Sequence, residues 1–449
     1  MKAIAVFDVG KTNKKLFLFD EEYRIVSEQS ESLLPGRDED GDACEDLPRL
    51  TQWIRESLTR AMDRPDIRIQ AVNFSAYGAS FVHLGVDGQP VAPLYNYLKP
   101  YPTALKRKFY DAYGGELTLS MLTASPVLGS LNSGMQLYRI RQERPELFAR
   151  IKYSLHLPQY LSYLLTGKAV SDITSIGCHT NLWNFPQQHY QEWVYREGLI
   201  EKLAPIVPSD SVLPAGELLA GVGLHDSSAA MIPYLQSFSE PFVLISTGTW
   251  CITLNPFNDS PLTAAELRQD CLCYMSYLGR PVKASRLFAG YDHEQQVRRL
   301  ADYFQCSPAA ATTVGFDPEC VAGLRGRLEH WGRGEGGMGK ASVFGRRDLA
   351  VFESFEQAYH CLMMDIMDQQ AASTRLVLQG ADVRRIFVDG GFGKNKVYMH
   401  LLAEAFPDIE VFAASISQAT ALGAALAIHR HWNEGEVPGD IIELRIFRG

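Results

Sequence analysis

No apolar run in the chain approaches the roughly 18 residues that a membrane-spanning helix needs, so a helical span is excluded. No secretory leader is expected either, because Asp8 interrupts the first apolar run before a hydrophobic segment can form. Paired cysteine motifs are lacking: eight cysteines lie scattered, and only Cys271 and Cys273 are close together. An isolated C-x-C is weak as a metal motif, so reduced thiols and a cytoplasmic location are expected. Basic charge is also short. Asp and Glu number 52 against 43 Lys and Arg, and the net charge of −9 argues against nucleic-acid and anionic-membrane partners.

Two motifs are nearly spelled and then fail. Gly334-Glu335-Gly336-Gly337-Met338-Gly339-Lys340-Ala341 follows the P-loop pattern until its last residue, where Ser or Thr must bind magnesium and Ala341 stands instead. A glycine-rich surface loop is expected there. Asp38-Glu39-Asp40-Gly41-Asp42 resembles the start of a calcium loop, but the glycine should follow the third acid and that residue is Ala43. A solvated loop entering a helix is the expectation.

What is present is a length of 449 residues, too long for one core, with 46% hydrophobic and 21% charged residues, ordinary for globular domains. Two domains are expected, 1–235 and 236–449. The apolar run Ala3–Phe7 leads into Asp8-Val9-Gly10-Lys11-Thr12-Asn13-Lys14-Lys15, and Leu16–Phe19 follows. Two short apolar runs around a polar, Gly-containing turn predict a buried hairpin. Asp8 then sits at the end of a sheet interior, where a carboxylate is costly without a cation or donors. A turn cap is the plain alternative. The pattern recurs: Phe242–Ile245, then Ser246-Thr247-Gly248-Thr249, then Trp250–Leu254. Gly/Ser/Thr turns offer backbone N–H groups to anions, so a duplicated core with two phosphate loops is expected. A third glycine turn, Val388-Asp389-Gly390-Gly391-Phe392-Gly393-Lys394-Asn395, follows a predicted strand at 385–389 and opens a helix.

Further strands are expected near 16–20, 23–30, 67–75 and 409–412. Helices are expected near 46–62, over 155–167 ending at Gly167, near 354–377, and near 418–431 in the second domain. Tyr359, Leu362, Met363 and Ile366 fall at helical spacing, which marks core. Asp226, in Gly223-Leu224-His225-Asp226-Ser227-Ser228-Ala229-Ala230, reads on its own as a helix N-cap before Ser227–Met231.

Together these motifs resemble the FGGY carbohydrate kinases, within the actin/hexokinase/Hsp70-like ATPase fold. Asp8–Asn13 is similar to that family's first phosphate motif, Ser246–Thr249 to its second, Gly390-Gly391 with Asn395 to its adenosine motif, and His225–Ala230 to the segment with its catalytic aspartate. Ser-Thr-Gly-Thr-Trp and His-Asp-Ser look closest to the rhamnulokinase and fuculokinase branch. The resemblance implies an α/β protein of two duplicated ribonuclease H-like domains with a cleft between them, the first binding sugar and the second nucleotide. It implies ATP and Mg²⁺ as cofactors and a ketose such as L-rhamnulose or L-fuculose as substrate. A homodimer is compatible with it.

In the roles so implied, Asp226 is the general base and Asp8 holds Mg²⁺ through water. Gly10, Lys11, Thr12, Asn13, Lys14, Thr247, Gly248, Thr249, Gly390, Gly391 and Asn395 bind ATP. Tyr77, Gly78, Asn96, His156, His179, His225, Ser227 and Trp250 are the sugar-side candidates, since sugars take polar groups beside aromatic faces. The chain departs from the pattern before Asp226, where it is short, at Gly-Gly-Phe-Gly, and near Arg286–Gln296. A pentulose or polyol kinase, or a non-catalytic ATP sensor of the same fold, are the alternatives.

Overall fold

A computed structural model describes residues 1–331 and 342–448. The near-P-loop at Gly334–Ala341 lies outside them. The chain forms two compact units that are not two successive halves. Unit 1 holds Met1–Ser237 and recovers Cys273–Pro281 and Ser417–Ile441, while unit 2 takes the remaining segments. The single boundary drawn between 235 and 236 therefore misses two returns of the chain. No helix among the described residues is long and apolar enough to cross a membrane.

In unit 1 the predicted hairpin is the centre of the sheet. Strand Lys2–Val9 pairs antiparallel with Lys14–Asp20 and parallel with Arg68–Ala76. Both of its faces are buried because Ala3 to Phe7 carry no polar side chain. Lys14–Asp20 extends the sheet to Ile25–Glu31. On the other side Arg68–Ala76 is joined in parallel by Leu218–Gly221 and by the short Leu224–His225. Register then does the placing: Asp8 lies opposite Ser75, Val9 opposite Ala76, and His225 opposite Ala76 from the far side. Asp8 and Asp226 thus leave the sheet at the same carboxyl edge, where open α/β sheets bind ligands.

Helix Leu47–Met62 covers one face, with Trp53 edge-on to Phe7 at 5.4 Å. The opposite face takes Ala419–Ala427, which the sequence assigned to the second domain. Its alanines and Gly423 explain the capture. A Cβ on Gly423 would lie 1.8 Å from the carbonyl oxygen of Ala229, so only a bare helix face admits the backbone of the Asp226 helix. Asn73, fully buried, fastens the same corner: Nδ2 donates to the Ala424 carbonyl at 2.7 Å, and Oδ1 accepts from Gly223 N at 3.2 Å. The region between 103 and 200 is largely helical and packs around Phe109, Tyr138 and Trp193.

Unit 2 repeats the central pattern. Strand Phe242–Thr247 pairs antiparallel with Cys251–Asn255 and parallel with Arg385–Gly390. Pro281–Leu287 extends the antiparallel side and Glu410–Ser415 the parallel side. Helix Phe355–Leu378 is capped by the Ser354 hydroxyl and buries Tyr359, Leu362, Met363 and Ile366 in the core, as their spacing predicts.

Gly423→Ala is expected to lower stability by about 1–3 kcal/mol through overpacking. Gly439→Ala, with open space around it, should stay within about 0.5 kcal/mol. Urea midpoints of the two variants check the pair; equal midpoints would remove the steric account of the 419–427 helix.

Candidate active site

The phosphate loop of unit 1 is braced from beneath. Lys14 is 1% exposed, and its ammonium donates to the carbonyls of Gly10 at 3.2 Å and Lys11 at 3.1 Å. It also pairs with Glu45 Oε1 at 2.9 Å. Every donor is used within the protein, which corrects the assignment of Lys14 to a nucleotide. Gly10 N closes the turn on the Asn13 carbonyl at 3.0 Å, and Thr12 and Asn13 remain exposed at its tip.

Asp8 is half-buried, and Oδ2 accepts from the Thr420 hydroxyl at 2.7 Å. Burial raises its pKa to about 6, and the charge of Asp226 pushes the same way. The hydrogen bond from Thr420, and the charge of Lys15, oppose the rise. Asp226 is the first residue of the short helix Asp226–Ala229, so it is not the N-cap; that position falls to His225. Its Oδ1 accepts from Ser227 N at 2.6 Å and Ser227 Oγ at 3.3 Å. About a third of the side chain stays open. Even so, the surrounding protein strips enough water to raise its pKa to about 6.

His225 stands beside Asp226, with Nε2 3.3 Å from Oδ1 and 3.3 Å from Cys178 Sγ. Burial pushes its pKa down to about 4, so the ring is neutral at pH 7 and the contact with Asp226 is not an ion pair. Gly78 gives it room: a Cβ there would lie 2.5 Å from His225 Cδ2. Tyr274 stacks on His225 and meets His179 edge-on, which brings His179 to the same cluster.

Two sugar-side expectations, His156 and Tyr77, need correction. His156 is core: it faces Phe81 at 4.0 Å, bonds Ser133 Oγ through Nε2 at 2.9 Å, and burial drives its pKa down to about 3. Tyr77 is buried with its hydroxyl donated to Glu45 Oε2 at 3.0 Å. Asn96 shapes a turn, accepting from Leu98 N through its side chain and from Lys99 N through its carbonyl. Gly78, His225, Asp226 and Ser227 do converge. Trp250 belongs to unit 2, 40% exposed and packed on Phe288. Glu45, Tyr97 and Thr420 were missed, since none stands in a motif.

Unit 2 carries a cavity of about 550 Å³, within the range of ligand pockets. Thr247 and Gly248 from the second loop, and Gly391 and Asn395 from the third, line it together with His293. Thr247 and Asn395 act as frame. The Thr247 hydroxyl donates to the Asp389 carbonyl at 2.6 Å and accepts from Phe392 N at 3.0 Å. Gly390, at φ 89°, closes on this contact, because a Cβ would lie 1.9 Å from the Thr247 carbonyl oxygen. Asn395 caps helix Lys396–Ala405 through Tyr398 N, and its amide donates to Tyr359 Oη at 2.6 Å. Tyr359 Oη also meets His293 Nε2 at 3.0 Å. Gly248 and Thr249 stay exposed. His293 and the adjoining Ala311–Val314 wall come from segments that matched no motif.

Residues 3–215 match the N-terminal domain of the FGGY family of carbohydrate kinases, and 239–319 and 340–431 match FGGY C-terminal domains. The chain belongs to the FGGY family of carbohydrate kinases. Curated relatives include a rhamnulokinase of Halalkalibacterium halodurans, 22% identical over 93% of this chain and 89% of that one. A rhamnulokinase of Oceanobacillus iheyensis is 21% identical over 85% and 82%. Among solved structures, a carbohydrate kinase from Novosphingobium aromaticivorans superposes with a TM-score of 0.81 at 26% identity, covering 99% of this chain and 96% of that one. A xylulose kinase from Lactobacillus acidophilus gives 0.78 at 17%, covering 100% and 94%, which shows the shared fold. As an FGGY enzyme the chain is a sugar kinase.

The raised carboxyl pKa values fix a sign. The folded chain holds protons on Asp8 and Asp226 more tightly than the unfolded chain between about pH 4 and 6, so stability falls as pH rises through that window and levels above it. Asp8→Asn is expected to stabilise the ligand-free protein at pH 7.5 by roughly 1 kcal/mol, after discounting the full linkage value for solvent contact. Thermal melts from pH 4 to 8 check it; a lower melting temperature at pH 7.5 would show that the buried charge is compensated.

Proposed function

We propose that the protein transfers the γ-phosphoryl group of ATP to a hydroxyl of a ketose, of the L-rhamnulose or L-fuculose kind. Asp226 carries the reading. It is a carboxylate poised near neutral pH, with a neutral histidine beside it and about a third of its own side chain open. A general base works best with its pKa near the working pH and within about 2.6–3.2 Å of the proton it takes. Asp226 accepts the sugar O–H proton, the oxygen forms a bond to the γ-phosphorus, and the bond to ADP breaks with its electron pair leaving on ADP. Thr12, Asn13 and Thr249, exposed on their loops, offer hydroxyl, amide and backbone N–H groups to phosphate oxygens. The unit 2 cavity suits the nucleoside.

Asp8 fits Mg²⁺. It is a carboxylate whose charge is under-compensated, and Mg²⁺ favours one or two carboxylates with retained water. Bound there, the ion would neutralise phosphate charge. The names of the curated relatives favour the deoxyketohexose. The eight cysteines are all free thiols, which suits the cytoplasm.

Asp226→Asn should lower kcat by about 10²–10⁴ while leaving ATP affinity near the wild type. kcat/KM should rise with pH through about 6 and then level. ADP release over ketoses, polyols and aldoses reads both; wild-type turnover in Asp226→Asn removes the base, and no ADP release with any acceptor removes the kinase reading.

A further inference from the structure

The phosphate loop and the strand after it carry three lysines, and two of their ammonium groups are committed. Lys14 is held by Gly10 O, Lys11 O and Glu45, and Lys15 pairs with Glu28 at 2.9 Å. Lys11 differs. Its ammonium lies 5.1 Å from the Tyr77 ring centroid and 5.0 Å from that of Tyr97. Among the described residues no oxygen accepts a hydrogen bond from it, and no carboxylate lies within ion-pairing distance. Glu45, the carboxylate that attracts it, is already shared by Lys14 and the Tyr77 hydroxyl. Aromatic faces hold a cation in place but satisfy none of its three N–H donors. Burial disfavours the charge further, so the ammonium is fixed, half-buried and short of an acceptor.

The two rings decide which ligand it faces. Tyr77 precedes Gly78, whose missing side chain makes room for His225, and the charge of Asp226 reaches the Tyr97 hydroxyl. The cage therefore adjoins the strand end that carries His225 and Asp226. We propose that Lys11, fixed between Tyr77 and Tyr97, is a specificity residue that binds an anionic oxygen on the acceptor side of the site, with Tyr97 as its positioning residue. The inference rests on the kinase reading. The oxygen has two sources, the carboxylate of a sugar acid or the phosphoryl oxygens as they reach the accepting hydroxyl.

The test compares the full chain with Lys11→Met, Lys11→Arg, Tyr97→Phe and Tyr97→Leu, using ATP with neutral ketoses and matched sugar acids. Lys11→Met should lose about tenfold or more in acceptor kcat/KM while the KM for ATP moves less than about twofold. A loss in KM on sugar acids identifies the carboxylate; a loss in kcat on neutral ketoses identifies the phosphoryl oxygens. Lys11→Arg and Tyr97→Phe keep the charge and the ring, and should recover most of the activity. Tyr97→Leu should lower kcat/KM about fivefold alone and add nothing in the Lys11→Met background. Acceptor constants of Lys11→Met within about twofold of wild type, or a loss confined to the KM for ATP, overturn the proposal. If Lys11→Met does not fold, Lys11→Gln is judged by the same outcomes. If the wild type releases no ADP, the kinase reading fails separately, and Lys11 is judged by melting-temperature shifts with inorganic phosphate and with an aldonate. A shift in wild type that is absent in Lys11→Met supports it; equal shifts, or none, overturn it.

Discussion

Two carboxylates that would be better apart organise this protein. Asp8 and Asp226 lie at one edge of the unit 1 sheet, each short of water, and the charge of Asp226 adds to the discomfort of Asp8. Folding alone gains nothing from such a pair. Its presence depends on rigid supports: the parallel register of three strands, the buried Asn73, and the close approach of the 419–427 helix. A scaffold that holds uncompensated charge in place is prepared for what neutralises it. A metal ion and a proton-giving hydroxyl are the partners that phosphoryl transfer supplies.

The two units share one strand pattern and use it differently. In each, the central strand has an antiparallel partner on one side and a parallel partner on the other. Unit 1 stabilises its turn with a buried ammonium and so keeps acids at the strand end. Unit 2 stabilises its turn with a threonine hydroxyl and a left-handed glycine, leaving a cavity whose lining, among the described residues, holds no acid and includes Lys394 and Lys396. Duplication provided the turn, and substitutions around it divided the labour.

Much of this was legible in the residues. Both hairpins, the long Met-rich helix and the Gly390 turn follow from apolar runs punctuated by glycine, because those signals are local. The convergence of Gly78, His225 and Asp226 followed from motif order. What the sequence concealed was pairwise. Lys14 looked like a phosphate ligand because nothing in its neighbourhood announces Glu45, and His156 looked like a sugar ligand because burial between Phe81 and Ser133 is not a sequence property. Tyr97 and Thr420 stand in no motif and gain their places only through packing. The single domain boundary missed the returning segments for the same reason: a small-residue helix reads alike on either sheet until Gly423 meets Ala229.

That return has a consequence for how the protein is made. Thr420, which donates to Asp8, and Ala424, which receives Asn73, are synthesised after nearly all of unit 2. The amino-terminal unit cannot complete its own core as it leaves the ribosome, although domains commonly fold in order of synthesis. Its sheet must wait, with the face for 419–427 uncovered, until the chain is almost finished. The carboxylate edge is therefore assembled last, and a nascent or prematurely ended chain carries the motif of the enzyme without its site.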